Sequence, residues 1–294
     1  MFLLQRNRLC LLLLIITLVG CEDVIEVELA DEAPRLIIDA LIRVNMSEPS
    51  TPVAIRVSLT DGFFGTVPLT KLDNIIIIME ELEDELIRST VAIPFEEIKN
   101  NFGIYNTVNP ISNSLLKDNN RFSLYIEHAG HVYLAQTFFS PAPPIKTVAQ
   151  STSEIFNPNN TEITITFEDI PDKDNYYVFD FDNENYSTLA DEFFAGQEYT
   201  FSYSYNSELP RGTQLEIGIL GADMSFYNYM DLLLEQSEGE FELFETPVAT
   251  VRGNFADVTN IDNIDSFDNV ERPNVFALGY FGIVQEHKMS LTIE

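Results

Sequence analysis

The chain has 294 residues, of which 47 are acidic and 16 are Lys or Arg, giving a formal net charge of −31. Such a surface repels nucleic acid and anionic lipid headgroups, so a nucleic-acid role is excluded. A hydrophobic content of 45% is that of a folded protein rather than a disordered one, and the length suffices for one large or two medium cores.

Arg6 and Arg8 make the start basic, and Leu9 to Val19 is an apolar run ending in Leu18-Val19-Gly20-Cys21. A basic start, a short apolar middle and a small residue before the cut describe a secretory signal peptide, here residues 1–20. A membrane-spanning helix would need roughly 20 apolar residues, more than this run offers. Leu18-Val19-Gly20-Cys21 resembles the lipobox of bacterial lipoproteins. The Cys21 thiol would receive a diacylglyceryl group, Gly20 would give the peptidase access, and cleavage would free the Cys21 amine for a further acyl chain such as palmitate. Several chains are needed because each buried methylene contributes only about 0.8 kcal/mol. The plainer alternative is an ordinary signal peptide beside a chance cysteine. Cys10 would leave with the leader, so no thiol remains for a disulfide, a nucleophile or a metal.

After the lipid site, residues 21–34 read as an acidic tether ending at Pro34. From Arg35, short β-type runs alternate with turn residues. Val53, Ile55, Val57 and Leu59 share one face of a strand. Ile75 to Met79 is a continuous apolar run, as in a strand buried on both sides. Phe122, Leu124 and Ile126 alternate with polar neighbours, His128-Ala129-Gly130-His131 reads as a hairpin turn, and Val132 to Phe139 returns. Pro141-Ala142-Pro143-Pro144 then interrupts the pattern, because proline cannot donate to a sheet ladder. This predicts a first domain at 35–140, a connector at 141–146 and a second domain at 147–294.

In the second part, Ile163, Ile165 and Phe167 alternate with threonines, and Tyr176 to Phe181 is a partner strand. Tyr199, Phe201, Tyr203 and Tyr205 share a face. Leu215 to Leu220, Val275 to Phe281 and Lys288 to Ile293 complete the set. One helix is predicted near 223–237, capped by Asp223 and presenting Phe226, Met230, Leu233 and Leu234 on one side, with Gly239 beyond its end. The fold expected from these elements is all-β: two β-sandwich domains of immunoglobulin or fibronectin type, with one short helix in the second.

Cys21-Glu22-Asp23-Val24-Ile25-Glu26-Val27, Ala33-Pro34-Arg35-Leu36-Ile37-Ile38-Asp39-Ala40 and Tyr133-Leu134-Ala135-Gln136-Thr137 with the Pro-rich connector, taken in order with the pieces that follow, resemble the domain-of-unknown-function family 4249, lipoproteins of Bacteroidota. Later come Asp191-Glu192-Phe193-Phe194-Ala195-Gly196-Gln197, Phe226-Tyr227-Asn228-Tyr229-Met230, Val251-Arg252-Gly253-Asn254-Phe255 and Ala277-Leu278-Gly279-Tyr280-Phe281. A long acidic insertion between Asn254 and Ala277 departs from the family pattern. The resemblance implies an outer-membrane lipoprotein encoded beside TonB-dependent receptors, hence an accessory role in uptake. Glu22 and Asp23 directly after Cys21 resemble the signal that sends such lipoproteins to the cell surface; a mere acidic tether is the alternative.

Each candidate site has a bland reading beside the sharp one. His128 and His131, with Glu127 adjacent, could hold a metal; an exposed hairpin tip is the simpler account. The stretch Asp257, Asn260, Asp262, Asn263, Asp265, Asp268, Asn269 and Glu271 is oxygen-rich enough for Ca²⁺, the one cofactor this chain suggests. Its spacing fits no EF-hand loop, so a solvated loop is favoured. Asp180, Asp182, Asn183 and Glu184 form a similar but shorter cluster. The row from Tyr199 to Tyr205 could stack a sugar or peptide, but a half-buried strand face produces the same row. His287 sits in no motif. Nucleophile-elbow, zinc-protease and phosphate-loop signatures are missing from the sequence, so the chain reads as a non-enzyme. The function expected is a non-catalytic surface lipoprotein serving a TonB-dependent transporter by receptor contact or cargo capture. The alternative is a structural or adhesive protein, calcium-stabilised.

Overall fold

β1 (Leu36–Val44) places Leu36, Ile38, Ala40, Ile42 and Val44 on one buried face, the period-two signature of a strand with one side in a core. In the computed structural model, which describes residues 34–60, 68–99, 102–151, 160–238, 250–259 and 275–294, that face lines the inside of a barrel. After β1 come β2 (Ser50–Thr51), β3 (Ala54–Leu59), β4 (Asn74–Glu83), β5 (Leu86–Glu97), β6 (Ile104–Thr107), β7 (Ile111–Ser112), β8 (Asn120–His128) and β9 (His131–Ser140). The second half supplies β10 (Ile145–Gln150), β11 (Glu162–Glu168), β12 (Tyr176–Asp180), β13 (Tyr186–Ala190), β14 (Glu198–Ser204) and β15 (Gln214–Ala222). The chain then forms helix α1 (Met224–Glu238), β16 (Ala256–Asp257) and the long β17 (Leu278–Thr292).

The barrel closes in the order β17-β1-β3-β6-β5-β4-β8-β9 and returns to β17. β17 lies between β1 and β9 and is parallel to both, with Ile38 opposite Gly279 and Phe139 opposite Ile283. Every other neighbouring pair in the barrel is antiparallel. Ile55, Val57, Ile77, Phe122, Leu124, Ile126, Phe281 and Ile283 fill the interior, so the barrel is a packed core and not a pore. Ile75, Ile77 and Met79 point into it while Ile76 and Ile78 are half-buried outside, so the apolar run of β4 is buried fully on one face only.

β17 continues past the barrel rim. Its second half pairs with β15, which pairs with β12 and β13 in turn, so one sheet serves both halves of the chain. The three-stranded sheet β10-β11-β14 packs Ile163, Ile165 and Phe167 against Tyr177, Phe179, Ile217 and Ile219 in a second core. Helix α1 covers the opposite face of that extension, with Phe226 in a cluster with Val178, Leu220, Tyr280 and Val284. Asp223 caps it as predicted, its Oδ1 accepting the Phe226 N–H at 2.7 Å.

The expected pair of β-sandwich domains is therefore corrected to a closed eight-stranded barrel whose sheet runs on into a further layered region. Alternation along a strand reports one buried face, and a sandwich and a barrel produce the same alternation. The closing strand comes from the opposite end of the chain, and no local pattern records that pairing. The two strands expected at Val275 to Phe281 and Lys288 to Ile293 are one continuous strand. Residues Pro34–Glu294 cluster as one compact unit, with the proline segment joining β9 to β10 inside it.

Candidate functional site

The aromatic row of β14 faces inward. Phe201 meets Phe179 at 4.8 Å between ring centroids, Tyr203 stacks on Phe181 at 3.7 Å, and Tyr199 stacks on Phe194 at 4.0 Å. Tyr205 is buried and donates its hydroxyl to the Phe181 carbonyl at 2.7 Å. The row is part of the second core and offers no open platform.

His128 and His131 face each other across the β8–β9 hairpin, whose Ala129 and Gly130 both have positive φ, 51° and 82°, as a two-residue turn requires. The two rings are engaged separately. His128 Nδ1 lies 3.1 Å from the Lys71 carbonyl, and His131 Nδ1 lies 2.9 Å from Asp257 Oδ2. Glu127 accepts from the Asn74 amide at 3.4 Å. Asp257 is fully buried, and its other oxygen accepts the Thr259 N–H at 2.8 Å. The first acid of the candidate calcium stretch thus pins β16 to the hairpin. The rest of that stretch, 260–271, lies outside the described residues, as does Cys21. Among the described residues, no three His, Cys, Asp or Glu side chains gather as a metal site.

Asp180 to Glu184 join β12 to β13 through a turn in which Asp182, Asn183 and Glu184 have φ of 67°, 50° and 65°. The carboxylates of Asp180 and Asp182 are taken by protein donors. Asp182 accepts the N–H groups of Asn183 and Glu216 at 2.8 and 3.2 Å, and Asp180 Oδ1 accepts that of Asp182 at 3.0 Å. Asp180 Oδ2 lies 2.6 Å from Arg43, which also reaches Glu286 at 3.1 Å and the Tyr186 hydroxyl at 3.4 Å. Burial opposes the Arg43 cation, but the hydrogen bonds to Asp180 and Tyr186 and the Glu286 charge outweigh it and raise its pKa. Lys288 extends the network to Glu216 at 2.9 Å. Gly218 keeps the space open, since a Cβ there would lie 3.3 Å from Glu286 Oε1. Sequence reasoning missed this network. Its available signal was charge: Arg43 in β1, between the apolar Ile42 and Val44, and Glu286 with Lys288 in β17. His287 faces away from it and pairs with Gln285, 2.8 Å between nitrogens.

Three backbones meet closely where β17 starts. A Cβ on Gly279 would lie 1.9 Å from the Ile38 carbonyl oxygen, and one on Gly253 would lie 1.4 Å from the Gly279 oxygen. Asn254 then acts as a surrogate strand residue. Its Oδ1 accepts the Phe281 N–H at 2.9 Å, and its Nδ2 donates to the Phe281 carbonyl at 2.8 Å. Arg35 and Arg252 lie over the Phe276 ring at 4.1 and 3.9 Å from its centroid.

The family model described as Domain of unknown function (DUF4249) matches residues 22–290. The chain belongs to this family. No curated protein matches it. In this DUF4249 chain, several of the pieces that carried the resemblance are structural devices. Gly253, Asn254 and Gly279 seat the strand that closes the barrel. Asp191 to Gln197 form the turn that covers one end of the second core. There Phe194 is buried, the Gly196 N–H reaches Asp169 at 2.6 Å, and Tyr177 donates to the same buried Asp169. Buried Asp191 accepts from the Asn175 amide at 3.4 Å. Each of these buried carboxylates already serves the fold.

Proposed function

We propose that this protein is a non-catalytic surface lipoprotein that works by contact, as an accessory of a TonB-dependent outer-membrane transporter. The observation that carries the reading is Leu18-Val19-Gly20-Cys21, placed directly after a basic start and an apolar run. Acylation of Cys21 would tie the folded part to the membrane, and Glu22 with Asp23 would direct it to the outer face. The filled barrel supports contact over carriage, because Ile77, Phe122, Leu124 and Phe281 occupy the space a cargo would need. The buried acids support a non-catalytic role, since Asp169, Asp191 and Asp257 are engaged by Tyr177, Asn175 and His131. The test is capture of the native, lipid-bearing protein from gently solubilised membranes. A large β-barrel receptor should co-purify in near-equal amount. Recovery of the protein by itself, from cells that express such receptors, would refute the accessory role.

A further inference from the structure

β5 runs on past the end of β6, its neighbour in the barrel, with β4 beside it. Seven residues in succession, Leu86 to Ala92, are exposed on both faces of β5, with Leu86 at 61%, Ile87 at 52% and Val91 at 37%. β5 meets β6 only at Phe95, Glu96 and Glu97, so among the described residues the edge from Leu86 to Ile93 has β4 on one side and no strand on the other. The direction of its free groups follows from the paired part. Pro94 turns its carbonyl to the Val108 N–H at 3.0 Å, and Ile98 turns its N–H to the Ile104 carbonyl at 2.9 Å, so even-numbered residues point away from β4. By strand alternation Thr90 and Ala92 present their N–H and C=O groups to the open side.

Protein edges of this kind are normally guarded by charge, proline, a bulge or a covering segment. Among the described residues, the guards of this edge sit only at its two ends. Arg88 is an extra residue in the β5 register near the tip and is paired with Glu83 at 2.7 Å. Pro94 stands at the barrel end. Leu86 to Phe95 contains no acid, whereas Glu83, Asp84 and Glu85 precede it and Glu96 and Glu97 follow. In a chain of net charge −31 this is an acid-free window, with Arg88 its one charged residue, between two acidic clamps.

We propose that the open edge of β5 is a strand-addition site, taking an extended segment of a partner protein that is apolar in its middle and carries Lys or Arg at both ends. Main-chain bonds to Thr90 and Ala92 would hold the segment, side chains of Ile87 and Val91 would contact its apolar residues, and the acidic ends would select its flanks. The same charges oppose a second copy as occupant. Antiparallel self-pairing about Thr90 would bring Asp84 and Glu85 of one chain beside Glu96 and Glu97 of the other. The inference goes beyond the accessory reading, because it holds whether or not the partner belongs to a transporter.

The test uses the full chain and a capped synthetic peptide of alternating valine and threonine with two lysines at each end. Binding should saturate, slow amide exchange at Thr90 and Ala92, and weaken as salt rises. Thr90→Pro and Ala92→Pro remove outward N–H groups without touching the β4 ladder, so each should keep the melting temperature and lose more than about tenfold in affinity. A peptide with glutamates in place of lysines should not bind. Absence of binding, equal binding by the glutamate peptide, or undiminished binding by both proline variants would overturn the proposal. So would a dimer of the unaltered protein that Ala92→Pro disperses, which would assign the edge to a second copy. If a proline variant fails to fold, the exchange pattern of the unaltered protein decides, and protection outside β5 alone would count against the site.

Discussion

Gly279→Ala should be among the most damaging single-atom additions to this protein. Gly279 has φ +100°, a region L-residues rarely adopt, and it lies opposite Ile38 in the parallel β1–β17 pair. Its new Cβ would lie 1.9 Å from the Ile38 oxygen, which is backbone and cannot rotate away. The conformational part costs about 1–3 kcal/mol and the forced separation of two packed strands about 1–3 kcal/mol. The expected loss is therefore roughly 2–6 kcal/mol, against a typical total stability of about 5–15 kcal/mol. Urea unfolding followed by far-ultraviolet circular dichroism measures it as a lower midpoint at unchanged slope. Gly212→Ala is the control. Its φ is +86°, but a Cβ there meets nothing within 4 Å, so only the conformational part applies. The difference between the two variants isolates the steric contact on which barrel closure depends. A Gly279→Ala shift below about 0.5 kcal/mol, the size of an ordinary surface change, would refute this account of how β17 is seated.

Arg43→Met should destabilise by about 1–3 kcal/mol in the same assay, because Asp180 and Glu286 would face each other without their shared cation. The value lies below that for a fully buried pair because the Arg43 side chain is 30% exposed. Burial, with hydrogen bonding to Asp169 and Asp223 respectively, raises the pKa of Tyr177 and Tyr280, and burial raises that of Tyr205. A raised folded-state pKa means the folded protein holds the phenol proton more tightly than the unfolded chain does. Stability is then fully present below the unfolded value of about 10 and falls as pH rises past it, by about 1.4 kcal/mol per pH unit for each tyrosine. Part of the phenolate absorbance should appear only together with unfolding above about pH 10, whereas complete ionisation of a still-folded protein would contradict the burial.

Local elements were legible because their causes are local. The His128–His131 hairpin follows from alternation around an Ala-Gly pair, and helix α1 from Asp223 and the Phe226, Met230 spacing. Barrel closure was not legible, because it rests on β17 pairing with strands that precede it by more than a hundred residues. The glycines that permit it stood in plain view, but Gly253 and Gly279 reveal their purpose only when the two backbones are seen to meet. The candidate sites divide in the same way. Acidic composition reads Asp257 as part of a solvated loop and strand alternation reads the aromatics of β14 as core, and only placement shows Asp257 holding His131 and Tyr203 lying on Phe181. Arg43 went unnoticed because its partners, Asp180 and Glu286, are remote in sequence.

The proposed function requires that acylation of Cys21 hold the β module at a membrane. Mass spectrometry of the N-terminal peptide, taken from the protein in its own membranes, reads that directly. The mature chain should begin at Cys21 and carry a diacylglyceryl group with a further amide-linked acyl chain. A peptide beginning at Met1, or an unmodified Cys21 on a freely soluble protein, would contradict it.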